Sequence, residues 1–268
     1  MTYAEVGGGR RLFYRLGGSG EPLLLVQGMS GHHRFWGEAF LRRLERDYEV
    51  AVYDHRGIGT SDRAEEPFTI ADLADDAAGL INALGWPSAH VFGISLGGMI
   101  TQELLMRHPA LVRTATIGCS WAGGPTGVMP QTSHEIVAAI ASRDVERVLR
   151  VGYAANLSAR YRADPANFAA YREAALAVRV PSAVVGIQFQ AALAHDTADR
   201  LPTITTPTLV LHGTADEGIV SANSERIAAL IPGARLVLFD GVGHLFWFEE
   251  PDRTVELLGE LTKAGQRD

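Results

Sequence analysis

Cysteine and lysine are almost missing from this chain of 268 residues: Cys119 and Lys263 each stand alone. A single thiol excludes an internal disulfide and any zinc site built on several cysteines. With 24 Lys+Arg against 31 Asp+Glu and a net charge of −7, the chain lacks the basic excess of a nucleic-acid binder. No Arg/Lys-rich run makes up for it locally. No apolar run is long enough to span a bilayer. Where a secretory signal would need an apolar core, Met1 to Arg11 carries Glu5 and three glycines, so a cytoplasmic location is expected. What is present is globular usage, 47% hydrophobic and 21% charged, which excludes disorder as the main state. The length suits one large α/β domain, with or without an insertion.

The first half alternates strand and helix signals. Arg11 to Arg15 reads as an early strand closed by Gly17-Gly18-Ser19-Gly20. Leu23 to Val26, Val50 to Tyr53, His90 to Ile94, Thr114 to Cys119, Thr208 to His212 and Arg235 to Phe239 are short apolar runs, the mark of strands buried on both faces. Between them, Thr69 to Leu84 has apolar residues at three- and four-residue spacing, with Thr69 as N-cap, Asp72 in the first turn and Gly85 at the end. Residues 97 to 107 form a second helix, stopped by His108-Pro109. This alternation predicts an α/β fold, a mostly parallel central sheet with flanking helices. The rhythm breaks from about 121 to 200, where helical segments near 133–142, 144–155, 165–178 and 182–194 replace strands; Pro165 and Pro181 stand where helices begin. We therefore expect residues 1–120 and 201–268 to form the core and 121–200 a helical lid inserted at the strand C-terminal ends, where ligands bind.

Gly93-Ile94-Ser95-Leu96-Gly97-Gly98 follows a buried strand and opens a helix. A sharp turn there strains the serine backbone, tolerates only small neighbours and presents a hydroxyl at the positive end of the helix. Serine needs a base. Of nine histidines, His244 in Gly241-Val242-Gly243-His244 lies just past the last strand, at the same sheet edge. His108 reads as a helix terminator, His55 lies in a turn, His90 and His212 lie in or at the ends of strands, and His32 and His33 sit in a loop with no acid partner assigned. Asp216, beyond the strand ending at His212 and 28 residues before His244, is the expected carboxylate; adjacent Glu217 competes for the role. The N–H groups of Met29, after Gln27-Gly28, and of Leu96 are the expected oxyanion donors. Gln27, Gly28, Trp121 and Leu245 are candidate substrate contacts, with Phe246 also beside the chemistry. Phe168, Tyr171, Val184, Val185, Ile187 and Phe189 read as core of the insertion. Cys119 reads as a small buried residue.

Carried by Gly93 to Gly98, Leu211 to Asp216 and Gly243-His244, the chain resembles the α/β-hydrolase fold superfamily from its first strands to its last helix. Asp54-His55-Arg56-Gly57-Ile58-Gly59-Thr60-Ser61 is similar to the D-x-R-G-x-G-x-S loop of many members, which implies a structural loop whose Asp54 and Arg56 bond nearby backbone rather than a dinucleotide fingerprint. Gly93 to Pro109 is loosely similar to 3-oxoadipate enol-lactonases and small esterases. The chain departs from the superfamily at Gln27, where His-Gly is common; the backbone donor is kept, and the Gln27 side chain either changes how the oxyanion loop is held or touches substrate. The resemblance implies a serine hydrolase acting on a small, largely apolar ester or lactone, with no metal and no organic cofactor. A dianionic substrate would need Arg34, Arg143, Arg160, Arg162 or Arg179. A C–C bond hydrolase of a diketo acid, a lyase, a cofactor-free oxygenase and a ligand receptor use the same fold and stay open. Oligomeric state is not legible.

Overall fold

The computed structural model describes residues 2–64, 66–124, 127–128 and 133–265. Its strands are β1 (Thr2–Val6), β2 (Arg10–Gly18), β3 (Glu21–Val26), β4 (Tyr48–Tyr53), β5 (Ala89–Ile94), β6 (Val112–Gly118), β7 (Thr208–Gly213) and β8 (Arg235–Phe239). They form one sheet in the order β1-β2-β4-β3-β5-β6-β7-β8. The β1–β2 and β2–β4 pairings are antiparallel and every other pairing is parallel. β5 and β7 are buried at every position, which explains their unbroken apolar runs. Alternate residues of β3 serve opposite faces: Leu24 and Val26 join one core cluster, Leu23 and Leu25 the other.

Two sequence expectations need correction here. β1 was not foreseen, because only Ala4 and Val6 of this edge strand are buried. The early strand does not close before Gly17; it runs to Gly18 because Leu16, Gly17 and Gly18 pair with Ala51, Val50 and Glu49 of β4. Ladder pairing there overrides the weak strand propensity of glycine.

The helices are α1 (Glu38–Leu44), α2 (Ile70–Ala83), α3 (Leu96–Arg107), α4 (Ser133–Ser142), α5 (Val145–Asn156), α6 (Ala159–Arg162), α7 (Pro165–Leu176), α8 (Ser182–Leu193), α9 (Ser221–Leu230), α10 (Phe246–Glu249) and α11 (Pro251–Ala264). Thr69 and Asp72 close a reciprocal capping box at the start of α2. Asp164 caps α7, which begins at Pro165, and Pro181 directly precedes α8. Helices α4 to α8 thus separate β6 from β7 in the chain. A bridge between Gly123 and Asp196 ties the two ends of this stretch together, reinforced by Thr197 N–H donating to Ala122 O at 2.8 Å. Among the described residues no helix is long and apolar enough to cross a membrane.

Candidate active site

Ser95 joins β5 to α3 with φ 54° and ψ −121°, a strained conformation for a residue with a Cβ. Its N–H donates to Gly118 O on neighbouring β6 at 2.8 Å, and its carbonyl accepts from Ser120 Oγ at 2.8 Å. The small neighbours are required: a Cβ at Gly93 would stand 2.2 Å from Gly97 O, and one at Gly97 2.1 Å from Val26 O. α3 can therefore press its first turn against the end of β3. Leu96, the first helical residue, has no intrahelical acceptor for its N–H.

Because β5, β7 and β8 run parallel within the sheet, their carboxyl ends share one edge. Asp216 follows β7 and His244 follows β8. His244 Nδ1 lies 2.6 Å from Asp216 Oδ2. Asp216 Oδ1 accepts from the N–H groups of Gly218 at 2.7 Å and Ile219 at 2.8 Å. A carboxylate accepting these bonds needs a proton on His244 Nδ1, which leaves Nε2 as the basic nitrogen. Burial alone would push the Asp216 carboxyl up; the charge of His244 and the hydrogen bonds of His212 and His244 outweigh it and hold the group well below the usual carboxylate range. The carboxylate that His244 Nδ1 bonds is that of Asp216. Among the described residues no hydrogen bond joins Ser95 Oγ to His244, a contact that often closes only with substrate bound.

His212 is a second imidazole on the same carboxylate. It is fully buried, with Nε2 at 2.7 Å from Ile219 O and 3.1 Å from Asp216 Oδ2, and Nδ1 at 2.6 Å from Ser224 Oγ. Facing two acceptors, Nε2 carries the proton. Cys119, His212 and Asp216 lie close enough to share a cation. Yet both His212 nitrogens are committed and Asp216 already accepts from four donors, so these side chains do not fit a metal. Burial, with the Asp216 charge adding, pushes the Cys119 thiol well up, which makes it a poor nucleophile.

Opposite this pair runs the loop after β3. A Cβ at Gly28 would meet Ser95 Cβ at 3.0 Å and Ser95 Oγ at 3.5 Å, so the loop backbone lies against the serine. Gly31 N–H donates to Gly28 O at 3.1 Å and closes a turn around Met29 and Ser30. Among the described residues nothing accepts from Met29 N–H. Three distant residues fasten the loop. His55 Nε2 lies 3.0 Å from Gln27 O, Gln188 Oε1 accepts from Ser30 N at 2.9 Å, and Asp54 Oδ1 accepts from His33 N at 2.8 Å. Asp54 Oδ1 also lies 2.8 Å from His33 Nδ1, so His33 does have an acid partner, contrary to expectation. Arg56 bonds the Asp72 carbonyl at 3.0 Å, as the loop resemblance implied, and also pairs with buried Asp76 at 2.7 Å.

Of the candidate contacts, Gln27, Trp121 and Leu245 are buried and Gly28 abuts Ser95. Trp121 O accepts from Gln102 Nε2 at 3.0 Å, and Leu245 N–H donates to Asn156 O at 3.0 Å. Phe246 belongs instead to the core: its ring stacks on Phe239 at 5.2 Å and lies against Gly118. Tyr171 packs against Tyr153 within the insertion but also against Phe35 outside it, and Val184 packs against Gly57 of the loop after β4, so these two residues also join the insertion to the rest of the fold. Arg34, Arg143 and Arg179 are exposed, Arg160 pairs with Glu250, and Arg162 donates to Leu157 O.

The pattern that describes the alpha/beta hydrolase fold matches residues 21–251. The chain belongs to this family. The protein named "Putative carbamate hydrolase RutD" in Azorhizobium caulinodans is 31% identical over 259 residues, covering 96% of this chain and 97% of that one. Est816, described as an N-acyl homoserine lactone degrading enzyme, superposes with a TM-score of 0.80 at 29% identity over 97% of this chain and 99% of its own. An enol-lactonase from Burkholderia xenovorans superposes with a TM-score of 0.85 over 98% and 100% of the two chains; at 24% identity it shows the shared fold alone.

Within this hydrolase fold, sequence reasoning missed His212 as a partner of Asp216 and Gln188 as a partner of the Ser30 loop. The Gln188 bond joins positions 158 residues apart, which no local spacing announces. A signal for His212 was available: it stands four residues before Asp216, at the end of the same strand.

Proposed function

We propose that this protein hydrolyses a carboxylic ester or lactone of a small, largely apolar compound through an acyl-enzyme on Ser95. His244 Nε2 takes the Ser95 proton as Oγ attacks the carbonyl carbon. Asp216 holds the imidazole in the required tautomer and stabilises its cation. The N–H groups of Met29 and Leu96 receive the oxyanion; loss of one such donor typically costs about 3–4 kcal/mol of barrier. His244 then gives the proton to the leaving alkoxide, and water repeats the sequence to release the acid. Helices α4 to α8, within residues 121–200, serve as the lid.

The observation that best supports this reading is the 2.6 Å His244–Asp216 bond, at the sheet edge where strained Ser95 turns into α3. The relative's name makes carbamates part of the same test, since they too offer an acyl carbonyl to a serine. Ser95→Ala should lower turnover of p-nitrophenyl esters by roughly 10⁴-fold or more while circular dichroism keeps the folded signature. Near-wild-type rates in that variant would overturn the mechanism. In a panel of esters, lactones, carbamates and diketo acids, turnover confined to the diketo acid would replace the ester reading with C–C bond hydrolysis. An absence of turnover with tight ligand binding would replace it with a receptor.

A further inference from the structure

Among the described residues, two buried amides that hold one turn lack an acceptor for their NH2 groups. Gln27 Oε1 accepts from Gly28 N at 3.0 Å, and Gln188 Oε1, on α8, accepts from Ser30 N at 2.9 Å. A backbone N–H requires an oxygen opposite it, so these bonds identify the other end of each amide as the NH2 group. Gln27 is 2% exposed and Gln188 is 0% exposed, and among the described residues both Nε2 atoms are without a hydrogen-bond partner. An unmet buried donor is costly, and two of them flank Met29, on the loop that touches Ser95. Such donors suit an acceptor that arrives with the substrate.

We propose that Gln27 and Gln188 form an acceptor-reading subsite beside the scissile carbonyl, donating from their NH2 groups to a neutral oxygen, ether, hydroxyl or carbonyl, in the acyl part of the substrate. The inference rests on Ser95 being the nucleophile and narrows the substrate from a largely apolar ester to one carrying such an oxygen. A carboxylate is disfavoured there, because neither amide brings a positive charge and each candidate arginine is exposed or already engaged by Glu250 or a backbone carbonyl. Gln188 also gives the insertion a direct part in the site, since it reaches the turn from 158 positions away.

The test compares p-nitrophenyl methoxyacetate with p-nitrophenyl butanoate, which differ by one oxygen in place of one methylene. Each kcat/KM is divided by the rate constant for hydroxide hydrolysis of the same ester. Wild-type protein should prefer the methoxy ester by about five- to tenfold on this scale, as one or two added hydrogen bonds allow. Gln27→Met and Gln188→Met should each bring the ratio toward one. Gln188→Glu keeps an acceptor for Ser30 N–H but has no NH2, so it should lose the preference too, and it serves if Gln188→Met fails to fold. No preference in the wild type, or an unchanged ratio in the folded variants, would overturn the subsite while Ser95→Ala still abolishes both activities. Turnover surviving Ser95→Ala would remove the nucleophile and this subsite together.

Discussion

The two sides of the site differ in how far the protein satisfies its own polar groups. On the Asp216 side every strong acceptor is used: two backbone N–H groups on Oδ1 and two imidazoles on Oδ2. The loop His244 occupies is equally fastened, with Gly243 N–H and Ser158 N–H both donating to Glu249 Oε1 at 2.9 Å, and Leu245 N–H held by Asn156 O. On the Ser95 side the backbone is held as firmly, yet among the described residues donors are left over at Met29 N, Gln27 Nε2 and Gln188 Nε2. In the proposed mechanism the first side keeps a charge in place through a proton transfer and the second receives a ligand's oxygens. The difference teaches that preorganisation and satisfaction are separate properties: a loop can be rigid in its backbone and still present unmet donors.

Breaking the satisfied side should have the larger effect. Asp216→Asn keeps the shape of the side chain but offers an NH2 where an acceptor is needed, so His244 is turned toward the wrong tautomer. Steady-state kinetics on a p-nitrophenyl ester should show kcat reduced by roughly 10⁴-fold. A loss below about tenfold would mean that Asp216 is not the acid of the site.

Crowding the open side should cost less. Gly28→Ala places a methyl 3.0 Å from Ser95 Cβ, tighter than ordinary contact, and displaces the loop that carries Met29 N–H. The expected outcome is a fall in kcat of about 10²-fold, the cost typical of a small misplacement of reacting groups, with the melting temperature little changed. A fall in KM alone, or none, would separate the Gly28 loop from the chemistry.

The smallest effect sharpens the comparison rather than breaking it. His212→Met removes an N–H donor from Asp216 Oδ2. Without that donor the Asp216 carboxyl is held less far below the usual carboxylate range, so it takes up a proton at higher pH. The acid limb of kcat/KM against pH should therefore move upward, by up to about one pH unit. A downward move, or none, would show that His212 only fills space.

The parts of the site that were legible in the sequence are those set by neighbours in the chain. Gly93 and Gly97 announce the turn at Ser95 because only close backbone contact explains small residues on both sides. Asp216 and His244 were legible because each follows a buried apolar run, and parallel strands place such positions at one edge. The capping box at Thr69 and Asp72 is local in the same way. The bond from Gln188 to Ser30 and the pairing of His33 with Asp54 were not legible, since their partners come from separate elements. β1 escaped notice because an edge strand with two buried side chains leaves too weak an alternation to read.

By itself the order of residues determined which segments are strands and helices, where the strained serine must fall, and which acid and histidine could reach it. Burial periodicity and glycine sterics act over a few residues, and they are written in the chain. Tertiary structure alone decided how the loop after β3 is held and which of its donors remain unmet. Hydrogen bonds are short-ranged and directional, so whether a given amide finds an acceptor depends on packing that brings residues 27, 30 and 188 to one place.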